Sequence, residues 1–254
     1  MKIVVIGADG QLGFDLMRVF GGQAVGLTHK DIEVKDRTGV LKKISEIKPD
    51  VVINTAAIVK AEWCELNEEE CLAVNAIGAG NVAEAAAVVG AVSVQISTDY
   101  VFDGSKESFS EDDRPNPLNV YGLSKLEGER SVQQNNPKHY IVRSGWFFGK
   151  HIPHKGLDFP RLMLKLAQEK PEVRVVNDQF GSPTYTKDLA EKIKEILERP
   201  APFGIYHITN QGRVSWYDLA KKTFEFAGVK TPLIPISTGE SGTKIKRPGC
   251  SLLV

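Results

Sequence analysis

The sequence predicts an α/β protein, a doubly wound parallel sheet carrying a smaller C-terminal lobe. Three observations predict it. Short β-branched runs alternate with longer helical patterns through the first half of the chain, as parallel strands joined by crossover helices require. A glycine-rich turn stands directly between the first of those strands and the first helix. The length, 254 residues, suffices for one large α/β domain or two small ones, and such a chain needs no disulfide or metal staple to bury its core.

Each element follows in order. Ile3–Ile6 is apolar throughout, as a strand buried on both faces must be. After the turn, residues 12–20 form an amphipathic helix. Ala24–Leu27 is the second strand, residues 40–47 are helical, and residues 50–54 (DVVIN) make the third strand. The Ala-rich segment 68–89 reads as one helix, small enough on one face to lie close to the sheet. Val92–Ile96 is the fourth strand and runs into the polar tetrad Ser97, Thr98, Asp99, Tyr100. A Pro-punctuated loop, 112–117, delivers the chain to a helix over 120–133, and residues 140–143 are the fifth strand. A loop rich in aromatic, Gly and His residues (145–157) precedes a short helix, 159–168. The strand Val173–Val176, a helix over 187–197 and a strand over 205–208 read as a return to the sheet. Thr186 is the expected N-cap of that helix; Ser215, with Asp218 three residues on, is a capping-box variant for the helix 216–226. Residues 231–254 read as loop, with a basic run at 244–247.

Composition narrows the function. Thirty-two Lys+Arg balance thirty-two Asp+Glu, which argues against a nucleic-acid or membrane-surface role carried by bulk charge. No run approaches the ~18 apolar residues of a membrane span, and MKIVVIGADG is too short for a secretory signal. Cys64, Cys71 and Cys250 are odd in number and make neither a disulfide framework nor, with the histidines, a metal cluster. They suit a reducing, cytoplasmic interior, and nothing indicates Mg2+. His151 and His154 are expected to be surface residues.

GADGQLG places Gly7, Gly10 and Gly13 after the first strand and at the opening of a helix. Glycine there permits a tight turn and lets backbone N–H groups approach a pyrophosphate, while the helix N-terminus presents orphan amides and a positive dipole. The pattern is that of a Rossmann-type dinucleotide-binding domain, expected over 1–145 and 173–210, with a substrate lobe over 146–172 and 211–254. At the end of the second strand, where a carboxylate reads an unphosphorylated ribose, stand Thr28, His29 and Lys30. A hydroxyl beside a partly basic pair favours NADPH over NADH; a solvated Lys30 with no ligand is the competing reading.

Tyr121 and Lys125, in YGLSK, lie four residues apart on a helix and so share one face. A neighbouring ammonium would lower the phenol's pKa and make it a better acid towards a carbonyl oxygen gaining charge. Thr98, past the fourth strand, offers a second hydroxyl to the same oxygen. Tyr217 and Lys221 repeat the spacing without a glycine turn or a preceding Ser/Thr-terminated strand, and read as an interfacial aromatic beside an exposed lysine.

The blocks GADGQLG, DVVINTAA, STDYVFDG, PLNVYGLSK and NDQFGSPTYTKDLA resemble the extended short-chain dehydrogenases, and among them the dTDP-4-dehydrorhamnose reductases, along nearly the whole chain. The resemblance implies reduction of the C4 ketone of a dTDP-6-deoxyhexose by a nicotinamide hydride, yielding dTDP-L-rhamnose for surface polysaccharide. It implies Tyr121 as proton donor, Lys125 lowering its pKa and holding the nicotinamide ribose, and Thr98 as second hydroxyl. Gly10, Gln11 and Leu12 would lie on the pyrophosphate; Ala56 and Ala57 would let the cofactor pass; Glu33 and Val34 stand where the family faces the adenine. Asp99, Tyr100 and Trp146 would line the sugar pocket, and Arg247, in KRPGCSLL, would clamp the nucleotide diphosphate.

This chain departs from the family pattern after Ala57. IVKAEWCE stands where YTxVDxAE is common, bringing in Val59, Ala61, Glu62 and Trp63. The family's GxNF is GLDF, so that Asp158 replaces an amide where a diphosphate is expected and would repel it. A helix that follows KRPxxSxL in the family is not part of this sequence, so a trimmed lobe is expected. These departures keep a second reading open: a dinucleotide-binding regulatory protein resembling the β subunit of methionine adenosyltransferase. A third reading is an epimerase or dehydratase on the same fold; Asp99 and Tyr100, not the acidic pair of the dehydratases, follow Thr98, which disfavours a dehydratase. The expected partner is a nucleotide sugar; a homo-oligomer is compatible with the sequence.

Overall fold

The computed structural model describes residues 1–152, 156–199 and 201–254, so the expectation for His154 lies outside the described residues. The chain runs β1 (Ile3–Ile6), α1 (Gln11–Phe20), β2 (Ala24–Leu27), α2 (Arg37–Ile47) and β3 (Val51–Asn54). It continues through α3 (Ala61–Leu66), α4 (Glu68–Leu72), a π-helical stretch Ala73–Ile77, α5 (Gly78–Val88) and β4 (Val92–Ile96). Then come α6 (Val120–Asn135), β5 (His139–Arg143), β6 (Phe147–Phe148), α7 (Phe159–Glu169) and β7 (Val173–Val176). Last are β8 (Phe180–Gly181), β9 (Thr184–Tyr185), α8 (Thr186–Glu198), β10 (Gly204–His207), β11 (Val214–Ser215), α9 (Trp216–Ala227) and β12 (Leu233–Ile236).

Six strands make one sheet in the order β10-β5-β4-β3-β1-β2, every pair parallel. Strand alternation splits the core in two. Ile3 and Val5 pack with Leu12, Leu16, Leu189 and Ile193 of α1 and α8; Val4, Ile6 and Val52 pack with Val40, Ile44, Val82 and Ala86 of α2 and α5. The strand order reverses between β1 and β3, which places a crevice at the carboxyl ends of those two strands. The expected Rossmann-type sheet is therefore present, with β10 closing one edge.

β7 departs from the expectation. It pairs in parallel with β12, away from the central sheet, and together with Met163 of α7 and Phe224 of α9 builds a second small core. The segment expected as terminal loop thus contains the strand Leu233–Ile236, because the backbone N–H and C=O groups of β7 need a hydrogen-bonded neighbour in the lobe. Thr186 is also not the N-cap of α8. Tyr185 holds that position, and the Thr186 hydroxyl donates to the Asp15 carboxylate of α1 at 2.6 Å, a buried acceptor. Ser215 and Asp218 do form the capping box of α9.

The segment expected as one helix is continuous from Glu68 to Val88 but carries a π turn at Ala73–Ile77. The extra residue turns Asn75 so that its amide donates to the Ile58 carbonyl at 2.9 Å and accepts the Ile58 N–H at 2.8 Å, pinning the loop that follows β3. By length and composition this rod would pass for a membrane span; 61% of its most apolar window is buried inside the fold.

Candidate active site

The glycine turn occupies the crevice. Gly7 has φ +80°, which favours glycine, and a Cβ there would stand 2.6 Å from the Thr55 hydroxyl. A Cβ on Gly13 would lie 2.1 Å from the Gly7 carbonyl oxygen, so only hydrogen lets α1 enter this close to the turn. Gly10 is the N-cap of α1, no side chain caps the helix, and its first turn carries no acid. The leading amides therefore face the crevice without a helical acceptor, as an anion requires. The residues fit a dinucleotide: a backbone cradle at the switch point, an uncapped helix start, and Ala56 at the neighbouring strand end, where its N–H donates to Asn54 at 3.1 Å.

At the end of β2 the residues are less free than expected. Both the N–H and the hydroxyl of Thr28 donate to Asp31, each at 2.8 Å, holding that carboxyl below its usual range. The Thr28 hydroxyl is thus not a spare donor for a phosphate; His29 and Lys30 are the exposed groups there. Glu33 is partly exposed, with His29 3.7 Å from its carboxylate, whereas Val34 is buried in the α2–α5 core.

Tyr121 and Lys125 stand on the first turns of α6, whose N-cap Asn119 accepts the Gly122 N–H at 2.9 Å and donates to the Lys246 carbonyl at 2.9 Å. The Thr98 hydroxyl faces the Tyr121 phenol and pulls its pKa down. It also approaches the Asp99 carboxylate, at 3.1 Å, and accepts the Tyr100 N–H, at 3.2 Å. Thr98, Tyr121 and Lys125 are brought together, but the electrostatics differ from the expectation. Burial raises the Tyr121 pKa, and the Thr98 hydroxyl only partly offsets it. Lys125 donates to the Ile96 carbonyl at 2.6 Å, and burial lowers its own pKa to about 8 against the pull of Glu129. Desolvation of the phenol is the largest influence, and the neighbouring Asp99 carboxylate adds to it.

Behind this group lies a layer that the sequence did not point to. Cys71 contacts both Cys64 and the Ser124 hydroxyl, and Ser124 donates to the Tyr121 carbonyl at 2.8 Å. Burial pushes the Cys64 thiol up, so the pair behaves as apolar filler, as expected for free cysteines.

Asp99, Tyr100, Trp146 and Arg247 converge from three segments. Asp99 is buried, and desolvation raises its pKa to about 6 against hydrogen bonds from Ser251, Thr98 and Trp146. It is thus an internal anchor for Thr98, not an open wall of a pocket. Tyr100 sets its ring edge-on to Tyr121, centroids 5.7 Å apart, and burial pushes its phenol up to about 12. Arg247 pairs with Glu62 and Tyr100, leaving its Nε–H without a partner. Trp146, at φ +55°, stacks on Trp216 at 3.5 Å and 1°, which makes Trp216 part of this wall. A Cβ on Gly181 would fall 2.5 Å from that indole, so the glycine of DQFGSPT is the floor on which Trp146 rests.

Asp158 does not project as a lone anion. It is the N-cap of α7, and its carboxylate is matched by the Arg161 guanidinium and by Gln11. The expected repulsion of a diphosphate is therefore neutralised locally.

Residues 1–254 match the RmlD substrate binding domain family. A Bacillus subtilis relative named spore coat polysaccharide biosynthesis protein SpsK is 40% identical over 99% of this chain and 88% of its own length. The dTDP-4-dehydrorhamnose reductase of Salmonella typhimurium is 35% identical over 100% of this chain and 89% of its own. Among solved structures, a dTDP-4-dehydrorhamnose reductase from Clostridium acetobutylicum superposes with a TM-score of 0.95 at 40% identity, over 100% of this chain and 90% of that one. The Bacillus anthracis enzyme of the same name, crystallised in complex with NADP, gives 0.94 at 38%, over 100% and 91%. Matched by the family over residues 1–254 and superposing on these structures along its whole length, the chain belongs to the RmlD substrate binding domain family, that of the dTDP-4-dehydrorhamnose reductases.

Proposed function

We propose that this protein is an NADPH-dependent reductase of the C4 ketone of a dTDP-linked 6-deoxyhexose, of the dTDP-4-dehydro-L-rhamnose type, serving polysaccharide synthesis in the cytoplasm. The observation that carries the reading is the Tyr121 phenol facing the Thr98 hydroxyl, one helical turn from a buried Lys125. Gly7, Gly10, Gln11, Leu12 and Gly13 would hold the pyrophosphate, Ala56 and Ala57 would border its path, Glu33 would face the adenine while Val34 stays in the core behind it, and Lys125 would hold the nicotinamide ribose. When bound, the dihydronicotinamide supplies a hydride to the ketone carbon.

The protein's own residues handle the oxygen. Thr98 and Tyr121 donate hydrogen bonds to it, and Tyr121 passes it a proton. Burial keeps the phenol fully protonated at neutral pH, the form a donor must have. Lys125, one turn away, supplies positive charge to the phenolate left behind. Tyr100 and the Trp146–Trp216 stack shape the sugar pocket, Asp99 holds Thr98, and Arg247, paired with Glu62, would meet the diphosphate.

The test is NADPH oxidation against a panel of dTDP-, UDP- and GDP-linked 4-keto-6-deoxysugars. Turnover is expected with a dTDP sugar, faster with NADPH than with NADH. Tyr121→Phe should lose about 10²–10⁴-fold in turnover with NADP+ affinity unchanged. Tight NADPH binding with no oxidation by any sugar would instead identify a dinucleotide-binding regulatory protein.

A further inference from the structure

We propose that Asp158 is a positioning residue for the nicotinamide dinucleotide: from the lobe, it fixes Gln11 and thereby the first amide of α1. The inference rests on the pyrophosphate reading of the turn at residues 7–13. As N-cap of α7, Asp158 needs one oxygen, and its Oδ1 accepts the Arg161 N–H at 3.1 Å. Its Oδ2 is surplus to capping. That oxygen accepts the Gln11 side-chain amide at 2.8 Å, the Gly149 N–H at 3.3 Å and the Arg161 guanidinium.

Arg161 in turn donates to the carbonyls of Gly149, at 2.7 Å, and Lys150, at 2.9 Å. A carboxylate 8% exposed, compensated by its own helix, thus reaches across 147 residues of sequence to the first residue of the phosphate-turn helix. The backbone N–H of Gln11 has no helical acceptor, so its direction depends on what anchors the residue. An amide side chain in place of Asp158 could cap α7 with its oxygen but would meet Gln11 only with the Gln11 amide flipped, and would bring no charge for Arg161 to pair. The carboxylate meets both needs, and Arg161 removes its net field from the turn.

The experiment is calorimetric titration of NADP+ into the wild type, Asp158→Ser, Gln11→Ala and the double variant. Serine keeps a capping oxygen but is too short to reach Gln11. Each single change should raise the NADP+ Kd about five-fold, and the double no further, because both remove one contact. Gln11→Ala leaves the α7 cap intact, so its effect cannot arise from a weakened helix, and a purely structural Asp158 would show no such coupling. Unchanged Kd in the single variants, or effects that multiply in the double, overturn the role of Asp158. A wild type that does not bind NADP+ overturns the cofactor reading along with it.

Discussion

Tyr121 and Lys125 lie one turn apart, yet the lysine spends an N–H on the Ile96 carbonyl and burial holds its pKa near 8, below its ordinary 10.5. The Lys125 ammonium is therefore present below about 8 and lost as pH rises through that value. Turnover at saturating substrates should decline above about pH 8, and Lys125→Arg, which keeps its charge, should flatten that limb of the profile. Stability runs the other way. Between about 8 and 10.5 the unfolded chain still holds the proton that the native lysine has released, so this group makes folding more favourable as pH rises. The residue types and their spacing were readable in YGLSK and STDY. The direction of the shifts was not, because it depends on desolvation by groups distant in sequence.

At the level of elements, Trp146, Gly181 and Trp216 join β8, α9 and the segment between β5 and β6 into one wall. Gly181→Ala should displace the indole and raise the sugar KM about tenfold, with NADP+ affinity unchanged by calorimetry; an equal loss of both would place Trp146 elsewhere in the mechanism. β7 shows how far local pattern reaches. Val173–Val176 is a strand as its β-branched residues require, but its partner lies in Leu233–Ile236, and nothing within four residues specifies that pairing. The π turn at Ala73–Ile77 is the same case, since it answers to Ile58 across a loop.

Across the whole molecule, one buried ion pair ties the catalytic helix to the sheet. Glu129 of α6 and Arg143 of β5, each 2% exposed, are bonded at 2.7 and 3.0 Å, with Ser97 on the same carboxylate. Glu129→Gln should lower the unfolding free energy by about 3–5 kcal/mol in denaturant titration, because Arg143 would be left buried with no anion. A loss below about 1 kcal/mol would mean that the site tolerates the unpaired cation. Local periodicity and the glycine turn were enough to specify the parallel sheet and the turn at its switch point, and the spacing in YGLSK put Tyr121 and Lys125 on one helix face, because strands, helices and tight turns answer to neighbours within a few residues. The protonation states of those two residues, the inward engagement of Asp158 and Asp99, the Glu62–Arg247 pair and the partner of β7 arose from packing. Each depends on groups far apart in the chain meeting in a low-dielectric interior, where desolvation and hydrogen bonding are set by the assembled fold.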